Sequence, residues 1–352
     1  MHDPEGVAPP VAPQENAPGH APGTPIPISK IVAVIVTFNP DHVTFVRLLD
    51  ALLPQVAGAV VVDNASSPAA TSLLAGRMGP QLELLQLSEN SGIAAAQNAG
   101  IERALELEAD GVLLLDQDSI PAPSMVAELC AAFLSASEDP TAPPIAAAGP
   151  ARVDGRTGTH SFFMVRRFGL LRPWQPVAQC AALPPAVETE FLMASGTLVP
   201  LAVFQSIGAM RANYFIDHVD REWCFRAKAA GYRLLGVPAA LLEHRIGDIV
   251  KRQCLFRKIA LSWHPPLRNY YLYRNVVLMR RDVPIPWSWQ LYFFWRLLRY
   301  ACGVLILARD RRSRLRLMLL GLSHGYRGIR GRLDPLTHRC STQPASPLEP
   351  YP

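Results

Sequence analysis

Between positions 31 and 118 the chain repeats one alternation: a short apolar, β-branched run, a polar stop, then apolar residues at helical spacing. Ile31 to Thr37 is apolar up to its threonine and stops at Phe38-Asn39-Pro40. A strand covered on both faces reads this way as it enters a loop. A helix is predicted next, with Val43, Val46, Leu49 and Leu53 on one face. The strand Ala59–Val62 then ends in Asp63-Asn64, and a helix near 69–75 leads to a strand Leu82–Leu87. After the loop Ser88–Gly92, a helix over about 93–108 precedes the strand Gly111–Leu115, which ends in Asp116-Gln117-Asp118. Strands and helices in this order predict a parallel sheet with helices on its faces.

Each strand delivers polar residues at its carboxyl end, and ligands of open α/β sheets bind just outside those ends. Asp63, Asn64, Asn90, Asp116 and Asp118 are therefore expected around one crevice. Past Pro150 the alternation stops, and residues 151–200 read as irregular or antiparallel strands. Helical spacing returns over Val219–Ala230. Beyond Pro265 the pattern is helical and basic, with Trp287, Trp289, Tyr292, Phe293, Phe294 and Trp295 within a few turns. Arg296 and Arg299 interrupt the one stretch long enough to span a bilayer, Ile285–Ala308, so an interfacial amphipathic helix is expected. The competing expectation is an ordinary helical subdomain packed on the core.

Charge sharpens that division. The net +5 of the 352 residues conceals 19 Lys/Arg against 3 Asp/Glu from Arg245 to Arg332, and 15 against 26 elsewhere. The basic part is where an anionic surface would dock. Nucleic acid is not the expected partner, because no RNP, zinc-finger or helix-turn-helix signature accompanies the charge. Residues 1–28 are crowded with Pro, Ala and Gly and lack apolar periodicity, so they are expected to be a disordered tail, as are 336–352. Asp3, Glu5 and repeated prolines are unlike a secretory leader, which predicts a cytoplasmic protein. Cysteines 130, 180, 224, 254, 302 and 340 form no CxxC pair and are expected as free thiols.

The strongest chemical feature is Asp116-Gln117-Asp118. Two carboxylates at a strand end can both face a hard cation such as Mg2+ or Mn2+, which in turn neutralises a departing pyrophosphate. Thr37 and Asn39 after the first strand, and Asp63 to Ser66 after the second, form a polar set suited to a base and a ribose. Asn90-Ser91-Gly92 opens a helix, where glycine permits close backbone approach and the amides favour an anion.

In this order and spacing, VIVTFNP, VVVDNAS, ENSGIAAAQNAGI and LLLDQDS resemble the nucleotide-binding half of family 2 GT-A glycosyltransferases. Phe191 to Gly196, Phe215 to Cys224, His244 to Asp248 and His264 to Tyr271 are similar to its rhamnosyltransferase branch, so the resemblance spans about residues 30–330. It implies a GT-A fold (Rossmann-like, mostly parallel sheet with a small antiparallel portion) over 29–250; the helical, basic region over 251–335 is expected to be membrane-associated from its aromatic and basic residues. The resemblance implies inverting transfer of a sugar, L-rhamnose from dTDP-rhamnose, to a polysaccharide or lipid-linked acceptor at the inner face of the cell membrane. Thr37, Asn39, Asp63, Asn90, Gly92 and Asp116 would then bind the nucleotide sugar, Asp116, Asp118 and His244 the metal, and Asp220 would be the catalytic base. The family's Glu-Asp pair here reads Val219-Asp220, which keeps Asp217 and Glu222 as alternative bases. Other donors, UDP- or GDP-sugars, and a non-catalytic glycan-binding relative remain open at this point. A nucleotidyltransferase is disfavoured, since Val34–Asp41 holds neither glycine nor lysine, and a dinucleotide oxidoreductase more so, since no GxGxxG follows the first strand.

Overall fold

A computed structural model describes residues 28–333 except 138, 140, 156–157, 176–182, 245–247, 255–256 and 309. The two expected tails lie outside the described residues apart from position 28. Strand β1 (Ile31–Thr37) is buried throughout because both its faces are covered. Val32, Val34 and Val36 point into one core, shared with helix α3 (Ile93–Glu106), and Ile31, Ala33 and Ile35 into the other. Helices α1 (His42–Leu52) and α4 (Met125–Ser137) close that second core. The period-two division explains why the run carries no polar residue before Thr37.

Asp41 caps α1 by accepting the Thr44 amide at 2.9 Å, which starts the helix at His42 and sets its phase. The buried face is consequently Phe45, Leu48, Leu49 and Leu52, and the expected Val43, Val46, Leu49, Leu53 stripe is corrected: Val43 is exposed. Strands β2 (Gly58–Asp63), β3 (Leu82–Gln86) and β4 (Gly111–Asp116) complete the parallel half, with α2 (Pro68–Ala75) between β2 and β3.

The second half mixes directions. In chain order it holds β5 (Ser119–Pro121), β6 (Ile145–Val153), the hairpin β7 (Phe163–Arg167) with β8 (Leu170–Trp174), β9 (Val187–Thr189), β10 (Leu198–Pro200), α5 (Leu201–Ile207), α6 (Val219–Ala229) and β11 (Arg233–His244). The sheet order is β3-β2-β1-β4-β10-β6-β11-β5, with β9 also on β11. β10 is antiparallel to β4 and β6, and β5 antiparallel to β11, which makes the expected small antiparallel portion.

The helical region expected from 251 starts later. Asp248–Cys254 (β12) and Arg257–Trp263 (β13) pair as a hairpin, so a boundary at 250–251 falls inside a strand. Helices α7 (Pro266–Asp282), α8 (Trp287–Leu307) and α9 (Arg311–Arg327) follow. The inner face of α8 is core: Trp289 is fully buried, meets the rings of Phe191, Phe225 and Phe293, and donates its indole N–H to Glu190 Oε2 at 3.0 Å. Glu190 also holds Arg166 at 2.7 Å and Lys228 at 2.8 Å, and although burial works to raise its carboxyl, these partners keep it below the ordinary value. Among the described residues no helix is long and apolar enough to cross a membrane. Cys130, Cys224 and Cys302 are free thiols, as expected.

α7 and α9 touch through glycine. A Cβ on Gly321 would lie 2.3 Å from the Tyr270 carbonyl oxygen, and one on Gly325 2.9 Å from that of Arg274. Backbone cannot yield as a side-chain tip can, so Gly321→Ala should destabilise the protein by about 1–3 kcal/mol despite alanine's better helix propensity. Denaturant unfolding measures this, and an unchanged midpoint would show that the helices do not pack this closely.

Candidate active site

β4 ends at Asp116 and β5 begins at Ser119, so Gln117 and Asp118 occupy the whole connection. The Gln117 side chain clasps the backbone of Phe38 on both sides, accepting its N–H at 2.7 Å and donating to its carbonyl at 3.3 Å. Antiparallel pairing then sets Ser119 opposite His244. The Ser119 hydroxyl lies 2.8 Å from His244 Nδ1 and 2.6 Å from Ser195 Oγ, and Ser195 Oγ accepts the Asp116 amide at 3.1 Å. Two buried serines thus tie the aspartate and the histidine to a third segment.

The result is a cluster in which one ligand atom each from Asp116, Asp118 and His244 lies within 4.8 Å of the others. His244 Nδ1 is 3.6 Å from Asp118 Oδ1. Two carboxylates and an imidazole form a donor set that suits a divalent cation. Burial raises the Asp116 carboxyl; the neighbouring His244 opposes this, while the charges of Asp118 and Asp220 add to it. A bound cation relieves that repulsion.

Asp220 stands in the first turn of α6. The loop before it is strained, with positive φ at Phe215 (66°), Asp217 (66°) and His218 (64°). Non-glycine residues resist this conformation, at about 1–3 kcal/mol each. It is held from α7, where the Asn275 amide donates to the carbonyls of Tyr214, Ile216 and Asp217 at 3.0, 2.8 and 2.9 Å, and Arg274 to that of Tyr214 at 2.9 Å. Asp217 is gripped by Arg268 at 2.6 Å, and the fully buried Glu222 pairs with Arg211 at 2.5 Å and Arg226 at 3.0 Å. Both alternative bases are thus engaged in ion pairs. Asp220 accepts the Arg221 amide at 2.8 Å, and burial pushes its carboxyl up against the opposing charges of Arg221 and Arg152. Arg152 also faces Asp116, and with Ser161, Phe162, Phe191, Met193 and Ser195 it lines a cleft beside the cluster.

The loops after β1 to β3 are tightly pre-formed. Asp63 is buried and turned into its own loop, where it accepts from Thr37 Oγ1 (3.2 Å), Thr71 Oγ1 (3.1 Å) and both the hydroxyl and the amide of Ser66. Asn39 donates its amide to Ser66 Oγ and accepts the Ser67 amide, at 2.7 and 2.9 Å. Asn90 Oδ1 accepts the Gly92 amide and the Asn64 side chain. At Gly92, with φ 87°, the close approach comes from the protein itself: a Cβ there would lie 2.5 Å from the Phe215 carbonyl oxygen, which also accepts the Ile93 amide. The Gly92 and Ile93 amides are thus bonded within the protein, to Asn90 Oδ1 and the Phe215 carbonyl.

The family model described as Glycosyl transferase family 2 matches residues 32–181. The dTDP-rhamnosyl transferase RfbF of Shigella flexneri is 30% identical over 305 residues, covering 86% of this chain and 97% of that protein. The chain belongs to glycosyl transferase family 2. Among solved structures it is similar to S. aureus TarS residues 1–349 in complex with UDP-GlcNAc, with TM-score 0.54, 14% identity and 86% and 82% of the two chains covered. A second TarS 1–349 structure gives 0.52 at 14% identity, over 84% and 81%. At that identity the likeness concerns the fold, which is GT-A.

Several residues beside this cluster had no role assigned from the sequence. Ser119 follows the Asp116-Gln117-Asp118 motif directly and could have been suspected, but Ser195, Arg152 and Asn275 reach it only through tertiary structure. The serine contact orients His244, a candidate metal ligand, and loss of such a contact typically costs about 10–100-fold in affinity. Ser119→Ala should weaken Mn2+ binding to this degree in calorimetric titration, and unchanged affinity would remove the serine from the site. Asn275→Ala, which frees three carbonyls of the strained loop, should lower kcat at least about tenfold with a smaller change in donor KM. Steady-state kinetics with a far-ultraviolet circular dichroism control would check it.

Proposed function

We propose that this family 2 enzyme is an inverting, divalent-metal-dependent rhamnosyltransferase. Its donor is dTDP-rhamnose, and its acceptor is a hydroxyl of a lipid-linked or polysaccharide precursor at the inner face of the cell membrane. The donor reading is supported by the identity to RfbF across almost all of that protein's length. Membrane-side transfer is supported by the excess of arginine and lysine after Arg245. The observation that carries the mechanism is that Asp220, free of any side-chain ion pair among the described residues, bears electrostatically on Asp116 of the cation cluster.

Asp116, Asp118 and His244 are the proposed ligands of Mg2+ or Mn2+, which when bound offsets the charge growing on the leaving diphosphate. Asp220 takes the proton of the acceptor hydroxyl as its oxygen bonds to the anomeric carbon and the bond from that carbon to the diphosphate oxygen breaks. One displacement of this kind inverts the anomeric centre. Thr37, Asn39, Asp63, Asn90 and Gly92 shape the nucleoside pocket, with Asp63 acting chiefly as the anchor of its loop. Partial burial suits Asp220 to the task, because a carboxylate with a raised pKa is a stronger base.

The base must be ionised, and its pKa is raised, so kcat/KM should fall on the acid side with a midpoint above the usual aspartate range. Asp220→Asn should lower transfer at least about a thousandfold while leaving donor affinity within about threefold. Rates measured with dTDP-rhamnose, UDP- and GDP-sugars decide the donor. Full activity in the asparagine variant would exclude Asp220 as base, and turnover of another nucleotide sugar alone would exclude rhamnose.

A further inference from the structure

Helix α8 has two apolar faces, and only one of them is used inside the protein. Trp289 and Phe293 are buried, whereas Trp287, Leu291, Phe294, Trp295, Leu298 and Ile306 are 66, 47, 58, 58, 42 and 57% exposed. Every exposed side chain of the helix is apolar except Arg296 and Arg299. Single exposed apolar residues are ordinary, but a stripe along 21 residues, about 30 Å of helix, signals a binding surface.

The surrounding charge selects the partner. Among the described residues from Pro266 to Leu333, every exposed ionised side chain is an arginine, including Arg311, Arg312 and Arg316 on the neighbouring α9. The acidic side chains Asp282 and Asp310 are neutralised by Arg330 and Arg314. A second copy meeting this face about a two-fold axis would set arginine against arginine. A bilayer with anionic headgroups matches both features, because tryptophan and phenylalanine settle at the headgroup boundary while guanidinium groups reach its phosphates. The opposite face of α8 packs on the segment before Asp220, the Phe293 ring lying 5.6 Å from that of His218, so the helix adjoins the proposed site.

We propose that the outer face of α8, with Arg296, Arg299 and the α9 arginines, docks in the headgroup plane of an anionic membrane and holds the mouth of the cleft at its surface. The role of docking in delivering the acceptor rests on the lipid-linked reading above; the docking itself does not. The test is flotation of the full chain with vesicles of phosphatidylcholine alone and of phosphatidylcholine mixed with phosphatidylglycerol. The protein should float with the mixed vesicles and be released by high salt. The triple variant Trp287→Ser, Phe294→Ser, Trp295→Ser and the pair Arg299→Glu, Arg312→Glu should each weaken binding at least about tenfold. Both should keep transfer to a water-soluble acceptor within about twofold, since they alter only exposed positions. Absence of flotation with the mixed vesicles, or binding unaffected by the triple variant, overturns the proposal while leaving the transferase reading intact. A dimer in light scattering that the triple variant dissolves, without vesicle binding, assigns the face to a second copy and overturns it equally.

Discussion

Three residues of antiparallel pairing govern the chemistry of this protein. Ser119–Pro121 lies against Leu242–His244, and without that register the histidine would not stand beside the two aspartates of the preceding turn. A strand so short has little stability of its own. It persists because β11 is a long strand already paired with β6, with a register shift between Val237 and Leu241 just before the last residues turn to β5. The metal corner is thus the end product of sheet geometry laid down across the second half of the domain, secured by hydrogen bonds between Ser119, Ser195 and the Asp116 backbone.

The proposed base is delivered by the opposite strategy. Asp220 follows a stretch with three left-handed residues, a conformation that persists only when its surroundings impose it. Asn275 and Arg274 impose it from α7, while Arg268 fixes the adjacent Asp217. One half of the site is therefore built by strands and the other by a clamp from the C-terminal helices. The charge of Asp220 adds to that of Asp118 in raising the Asp116 carboxyl, a repulsion a bound cation would relieve.

The parallel half of the fold was legible because each strand is covered on both faces, so its apolar run has no gaps, and because strand ends in such a sheet must carry the polar loops. Asp116 and Asp118 stood out for that reason. The phase of α1 was misread because the Asp41 cap, rather than the hydrophobic spacing, sets where the helix begins. The β12–β13 hairpin was not legible because neither Asp248–Cys254 nor Arg257–Trp263 keeps a strict apolar–polar alternation. Asn275 left no trace, and Ser195 stood only within a family-like stretch with no role of its own, since a polar residue that bonds to distant backbone looks like any other in one dimension. The aromatic cluster of α8 was ambiguous because it has a buried side, with Trp289, and an exposed side, with Trp287 and Trp295.

The Asn275 clamp has an implication for how such enzymes diversify. The residues that shape the turn before Asp220 lie in the same helices that build the C-terminal surface, so that surface and the turn are inherited together. A chimaera joining this donor-binding half to the terminal helices of a relative would import a foreign mould for the turn at 215–218. Modularity here follows the clamp and its loop as one unit, and a boundary drawn by sequence position alone would cut through it.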